Sequence, residues 1–183
     1  MPRLIAFLRA INVGGHNVTM VELRGLFTGL SFMEVESFIA SGNVIFKSRS
    51  ADITTLQRKI ERQLLRSLGY EVRTFLRTIP EVVTIARSKP FKASELGSAV
   101  ALNVGFVADP LGAEAQKSLM SLRTAIDDFR VHGREVYWLC KTKQSDSKFS
   151  NTRFEKILNA RATWRSMNTV VRLATRYGVI GDR

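Results

Sequence analysis

The order in which hydrophobic patterns follow one another constrains this chain more than any single motif. Residues 3–9 are rich in apolar types and alternate, the pattern of a strand. A glycine turn at Gly14-Gly15 follows. Thr19 and Glu22 then stand at capping-box spacing, where the threonine hydroxyl accepts from the amide three residues on and the glutamate reaches back. A helix is therefore predicted from there to about Leu30, with Met20, Leu23, Leu26 and Phe27 on one face. "VESFIASGNVIFKS" reads as a hairpin, two β-rich runs around Ser41-Gly42-Asn43, residue types that tolerate positive φ. Asp52 opens a long amphipathic helix on which Ile53, Leu56, Ile60, Leu64 and Leu68 recur every three or four residues, and Gly69 closes it. "YEVRTFLR" supplies a further strand. Strand, helix, two strands, helix and strand are thus spelled out within the first 77 residues.

The second half runs through the same order. "TIPEVVTIARSKPF" predicts a connecting helix with Thr78 as its cap and Pro80 in its first turn. "VALNVGFVA" is a strand, "LGAEAQKSLMSLRTAI" a helix, and "DDFRVHGREVYWLC" a hairpin turning at His132-Gly133. "SKFSNTRFEKIL" predicts another helix, followed by a short strand around Ala162 to Trp164 and a final helix from about Asn168. The two hairpins are alike in one detail: Phe38 and Phe129 each lie four residues before a turn glycine, Gly42 and Gly133. The simplest architecture is α+β, two βαββαβ units in tandem, each an antiparallel sheet with two helices on one face. The expected divisions are a first unit over residues 1–77, a connecting helix and loop over 78–98, and a second unit with a C-terminal helix over 99–183.

Composition enters through charge. A hydrophobic content of 45% supplies the cores, yet the net charge is +12, with an isoelectric point near 10.6. Residues 1–77 hold 11 Lys and Arg against 6 Asp and Glu, and residues 78–140 hold 7 of each. Residues 141–183 hold 10 against 3, so the last quarter of the chain is the centre of the excess. No run of five like charges occurs, which describes a folded basic surface and not a basic tail. Such a field attracts polyanions and says nothing of the fold. The single cysteine, Cys140, ends the apolar run "VYWLC" and reads as a buried thiol, which excludes a disulfide within the chain. The first residues read as a strand rather than a signal peptide, and no stretch of 18 apolar residues predicts a membrane span. A reducing, cytoplasmic setting is the expectation.

Four ordered motifs carry a family resemblance: "FLRAINVGGHN", "FIASGNVIF", "KPF" and "SKFSNTRFEKILNARATWRSMNTVVRL". Together, from about residue 3 to 177, they resemble the domain-of-unknown-function family numbered 1697. The resemblance implies a tandem of two ferredoxin-like (alpha-beta plait) units and brings no activity with it. The chain departs from the usual pattern at Ala10, where a Gly is common, and at His16, where a Lys is frequent. Phe38 and Ala40 stand for the usual Tyr and Gln, and Met167 for a typical Trp, with Trp164 three residues earlier.

Two sets of candidate binding residues follow. The first surrounds the glycine turn: backbone amides at a helix start hold an anion, and Arg9, Asn12, Gly14, Gly15 and His16 would contribute, with Ser41 and Asn43 from the hairpin. The Lys-Ser/Thr of a P-loop and the third glycine of a dinucleotide fingerprint are both missing there. The second set is the basic last quarter: Lys148, Arg153, Arg161, Trp164, Arg165, Asn168, Arg172 and Arg176. Arginines with an aromatic neighbour suit phosphates and an unstacked base. Arg165, Arg172 and Arg176, spaced seven and four apart, share a face if one continuous helix holds all three; the alternative is that Arg165 lies before its start. Two histidines, one cysteine and no acidic pair at helical spacing offer no metal site, and no nucleophile-base-acid set is visible. The adjacent Asp127 and Asp128 would point to opposite faces of a strand.

These observations lead to an expected non-enzymatic binding protein without cofactor, its partner a polyanion such as RNA or single-stranded DNA. An enzyme or sensor for a small phosphorylated ligand at the Gly14-Gly15 turn, and a protein–protein adaptor, are the alternatives.

Overall fold

Two four-stranded antiparallel sheets organise the protein, seen here in a computed structural model that describes residues 1–12, 14–39 and 42–178. The elements are β1 (Arg3–Leu8), α1 (Met20–Thr28), β2 (Met33–Ser37), β3 (Asn43–Lys47), α2 (Ile53–Leu68) and β4 (Thr74–Thr78). After α3 (Ile79–Arg87) and the short α4 (Ala93–Leu96) come β5 (Ala101–Val107), α5 (Ala113–Met120), β6 (Asp127–His132) and β7 (Glu135–Cys140). A single 3-10 turn (Gln144–Asp146) leads to α6 (Asn151–Leu158), β8 (Ala162–Ser166) and α7 (Met167–Tyr177). The sheets run β2-β3-β1-β4 and β6-β7-β5-β8. Two compact units result, one of Met1–Val83 with the C-terminal segment from Leu173, the other of Thr84–Arg172.

In the first unit the helix ends follow from their caps. Thr19 and Glu22 form the expected reciprocal box, Asp52 accepts from the Thr55 amide, and Gly69 ends α2 in the left-handed conformation at φ +81°. Leu23 and Phe27 of α1 and Leu56, Ile60 and Leu64 of α2 pack on Leu4, Ala6, Leu8, Val44, Phe46 and Leu76 of the sheet. The alternation expected for residues 3–9 gives way to a fully buried run: Leu4–Leu8 are each at most 1% exposed. β1 is paired on both edges, and a central strand withdrawn from water on both faces reads as continuously apolar.

The second unit repeats the strand order around its own cluster of Leu119, Phe129, Val136, Phe154 and Ala162. α5 stops at Met120, short of the expected Ile126. The Thr124 hydroxyl accepts from the amides of Ile126 and Asp127 and donates to the Asp127 carboxylate, a turn that takes over from the helix. Asp127, 2% exposed, also accepts from Trp138 Nε1 (2.8 Å) and from Ser147 Oγ (2.9 Å). Asp128, its neighbour, binds Arg123 and Arg130, so the two carboxylates do diverge. Arg130 in turn lies 4.9 Å over Phe91 and donates to Glu95, which gives the "KPF" motif a packing role.

The hairpin likeness drawn from Phe38 and Phe129 does not survive in the register. Phe129 lies within β6 opposite Trp138, whereas Phe38 is past the end of β2, its amide on the Asn43 carbonyl. The two turns differ in length, so counting back from the glycine reaches different places. The true correspondence lies in the central strands. Ile5 sits opposite Ile45 on one side and Arg77 on the other, and Val104 sits opposite Tyr137 and Arg165. Both arginines donate NH1 to the carbonyl just before them, Leu76 at 2.9 Å and Trp164 at 2.8 Å.

Gly105 makes room for the Trp164 indole: a Cβ there would lie 2.7–2.8 Å from three ring carbons. Gly105→Val should destabilise the protein by about 1–3 kcal/mol through overpacking, read as a lower urea midpoint, and adding Trp164→Leu should recover part of the loss. Asp128 supplies a pH test. Burial raises its carboxyl, but the Arg123 hydrogen bond, the Phe129 amide and the Arg130 charge outweigh this and hold it below the usual range. Its contribution is then present above the unfolded value and lost as pH falls through the folded one. Asp128→Asn should lower the melting temperature at pH 7 and leave it nearly unchanged at pH 2.

Candidate functional site

The glycine turn is built from the inside by Asn12. Its Nδ2 donates to the Val18 carbonyl (3.2 Å) and its Oδ1 accepts from the Val18 amide (2.8 Å), so one side chain closes the loop. Tyr70 donates its hydroxyl to the Ile11 carbonyl at 2.8 Å, and His16 stacks on the Tyr70 ring with centroids 3.7 Å apart. Ala10, Gly14 and Gly15 have φ of +54°, +69° and +87°. A Cβ at either glycine would meet nothing within 4 Å, so the residues are selected by backbone conformation and not by close approach. Ala10 holds the same left-handed region with a side chain, at the position where a Gly is common. At the start of α1 the Glu22 carboxylate accepts from the Thr19 amide and hydroxyl (both 2.8 Å), which lower its pKa and place a negative charge at the helix N-terminus. The Arg9 amide is bound to the Arg73 carbonyl. Gly14, Gly15 and His16 are exposed.

The hairpin candidates divide. Ser41 lies outside the described residues. Asn43 is 2% exposed, and its Nδ2 donates to the carbonyls of Phe38 (3.1 Å) and Ile39 (3.3 Å), fixing the chain before β3.

The basic set of the last quarter falls into distinct environments. Lys148 and Arg153 are exposed, with no ion pair among the described residues. Arg161 is bound at 3.0 Å to the buried Glu155, which also accepts from the Ala162 amide and Asn151 and so ties β8 to α6. Trp164 donates Nε1 to Asn151 Oδ1 (2.9 Å) and packs edge-on against Trp138, Phe149 and Phe154, as part of the core cluster. Arg165 lies on β8, before α7 begins, so of the three arginines only Arg172 and Arg176 are helical. Desolvation lowers the Arg165 guanidinium to about 10, and NH1 donates to Thr163 Oγ1 (2.9 Å). Asn168 and Arg172 are exposed on α7. Arg176 lies 3.4 Å from Glu36 and 5.5 Å over the Phe38 ring, beside a Tyr177 hydroxyl that donates to the same glutamate.

Cations that the segment sums concealed stand on α2. Arg58, Arg62 and Arg66 are exposed at four-residue spacing, and none makes a hydrogen bond or ion pair through its side chain among the described residues. Arg58, Arg62 and Arg66 line a hollow of about 490 Å³ together with Lys59, Thr55 and Leu30, and no acidic residue lines it. A second hollow of about 320 Å³ shares Arg58 and Arg62 but includes Glu61 and Glu71. The acid of α2, Glu61, is turned to the Thr74 amide (2.9 Å) and Arg73 (3.5 Å). The i, i+4, i+8 arginines were visible as a pattern; summing charge over 77 residues averaged them away. Among the described residues no group of three His, Cys, Asp or Glu could hold a metal ion, and no helix is long and apolar enough to cross a membrane.

Asn12→Ala removes both bonds to Val18 and leaves a buried amide without its partner. A stability loss of about 1–2 kcal/mol is expected in urea unfolding, together with faster hydrogen exchange of the Val18 amide.

No curated protein matches the sequence. A solved structure of a conserved bacterial protein from Streptococcus pneumoniae is similar, with a TM-score of 0.74 and 22% identity, over 95% of this chain and 97% of that one. The family described as a protein of unknown function, DUF1697, matches residues 1–137. The chain belongs to that family.

Proposed function

We propose that the protein is a non-enzymatic, cytoplasmic binding protein of two ferredoxin-like units whose partner is a single-stranded nucleic acid, RNA or DNA. The fold reading rests on the βαββαβ order and on a strand order that is the same in both sheets. The partner rests on one observation: Lys141, Lys143, Lys148, Arg153 and Lys156 are all exposed, and none has an ion pair among the described residues. Two of the acids nearby are engaged elsewhere, Asp127 with Trp138 and Ser147, and Glu155 with Ala162 and Arg161, while the exposed Asp146 accepts from Ser145 Oγ and pairs with no cation among the described residues. Cations without an ion pair gain most from phosphates, because each contact releases a condensed counterion. The small-ligand alternative at the Gly14-Gly15 turn has no comparable support, since Asn12, Thr19 and Glu22 spend their polar groups on the turn itself.

Anisotropy of a labelled single-stranded RNA tests the reading across a salt series. If about four phosphates are neutralised, log K should fall with log salt at a slope of about −3. Lys148→Gln with Arg153→Gln should make that slope less steep by about 0.7 per cation removed. A flat salt dependence, or no binding at low salt, overturns the reading.

A further inference from the structure

α2 carries a second surface, in the first unit and outside both sets of residues singled out by the motifs. Its inner face is fixed by Leu56, Ile60 and Leu64, each at most 3% exposed, so the angular position of every other residue follows. Arg58, Arg62 and Arg66 consequently form one row on the outer face. Successive members of such a row rise about 6 Å along the axis. That step is comparable to the distance between neighbouring phosphates of an extended nucleotide strand.

The surroundings favour an anion on the side of the row that faces Lys59 and Leu30, away from Glu61 and Glu71. The acid within α2, Glu61, is occupied with Thr74 and Arg73. Asp52 caps the N-terminal end, bound to Thr55, and its charge acts on Arg58 at that end of the row. Lys59 is held in place by the Leu30 carbonyl (2.8 Å) and lies 5.4 Å over the Phe32 ring, so its ammonium is positioned with protons left to donate. Thr55 and Gln63 add neutral polar groups along the acid-free hollow of about 490 Å³, and Leu30 adds an apolar wall. Guanidinium forks beside a hollow with an apolar wall match a phosphate chain whose bases or sugars lie to one side.

We infer that the outer face of α2, through Arg58, Arg62, Arg66 and Lys59, binds the sugar-phosphate backbone of a single-stranded nucleic acid. The inference rests on the nucleic-acid reading above and assigns it a contact surface of its own. Because its contacts are to phosphates, binding depends on salt.

The test uses the full chain and a labelled 12-nucleotide RNA of mixed sequence. Arg58→Gln, Arg62→Gln and Arg66→Gln are combined in one protein and compared with wild type, with the Lys148→Gln, Arg153→Gln pair, and with a triple Arg→Lys version. All positions are exposed, and glutamine and lysine are good helix formers, so melting temperatures should stay within a few degrees. The expected result is at least a tenfold weaker affinity for the triple Gln protein and a salt slope less steep by about 2, both largely restored by the lysine version. Wild-type binding with an unchanged triple Gln protein overturns the α2 surface and leaves the nucleic-acid reading standing. Absence of RNA binding by wild type overturns both. Loss of binding to phosphatidylserine-containing vesicles with RNA affinity unchanged also overturns the inference, since the row would then serve a membrane surface.

Discussion

Strand β1 is hydrogen-bonded along both edges, to β3 and to β4, and none of Leu4–Leu8 is more than 1% exposed. Burial of Leu4, Ile5, Phe7 and Leu8 contributes about 1.5–3 kcal/mol each. No polar group in these side chains needs a partner, so the strand can be central. Charge has to be placed elsewhere: on edge strands, in turns and on the outer faces of helices. β5 occupies the same place in the second unit under a different compromise. Its Gly105 gives up a side chain so that the Trp164 indole lies against the backbone, and that indole joins Trp138, Phe149 and Phe154 in one aromatic cluster. The two sheets thus reach the same strand order with different fillings.

The residues of the four sequence motifs are largely spent on architecture. Asn12 closes the first turn on Val18, and Asn43 holds the chain ahead of β3. Ser147 is bound to Asp127, Ser150 caps α6, and Asn151 reaches Trp164 and the Ala162 carbonyl. Phe91 of "KPF" lies under Arg130. Each of these polar side chains satisfies backbone or buried groups that would otherwise cost about 1–3 kcal/mol apiece. Among the described residues, the cations of 141–156 and the outer row of α2 are left without an ion pair, and the proposed binding function is placed on them.

Much of the fold was legible because it is locally encoded. Thr19 with Glu22, Asp52 with Gly69, and the three- and four-residue recurrence of Leu56, Ile60 and Leu64 state helix ends and faces within a few residues. The shortfall of α5 was not legible, because it turns on Thr124 meeting Asp127, a contact set by the strand that follows. Phe38 and Phe129 misled for a related reason: spacing to a glycine measures turn length as well as strand register. Whether Arg165 joins the helical arginines was open in the sequence because β8 and α7 adjoin without a break, and its position opposite Val104 depends on pairing distant in sequence. The α2 row was hidden differently. Its arginines are plain in the sequence, but whether Glu61 neutralises them depends on where its carboxylate points, and it points to Thr74.

The central claim is that the unpaired cations act as two defined surfaces and not as a diffuse charge. An amide-resolved NMR titration of the full chain with a single-stranded oligonucleotide, at low and at moderate salt, tests it most directly. The account predicts shifts concentrated on α2 and on residues 141–156, fading together as salt rises, with the Gly14-Gly15 turn unaffected. Shifts centred on that turn and persisting at moderate salt, or shifts scattered evenly over all exposed lysines and arginines, would contradict it.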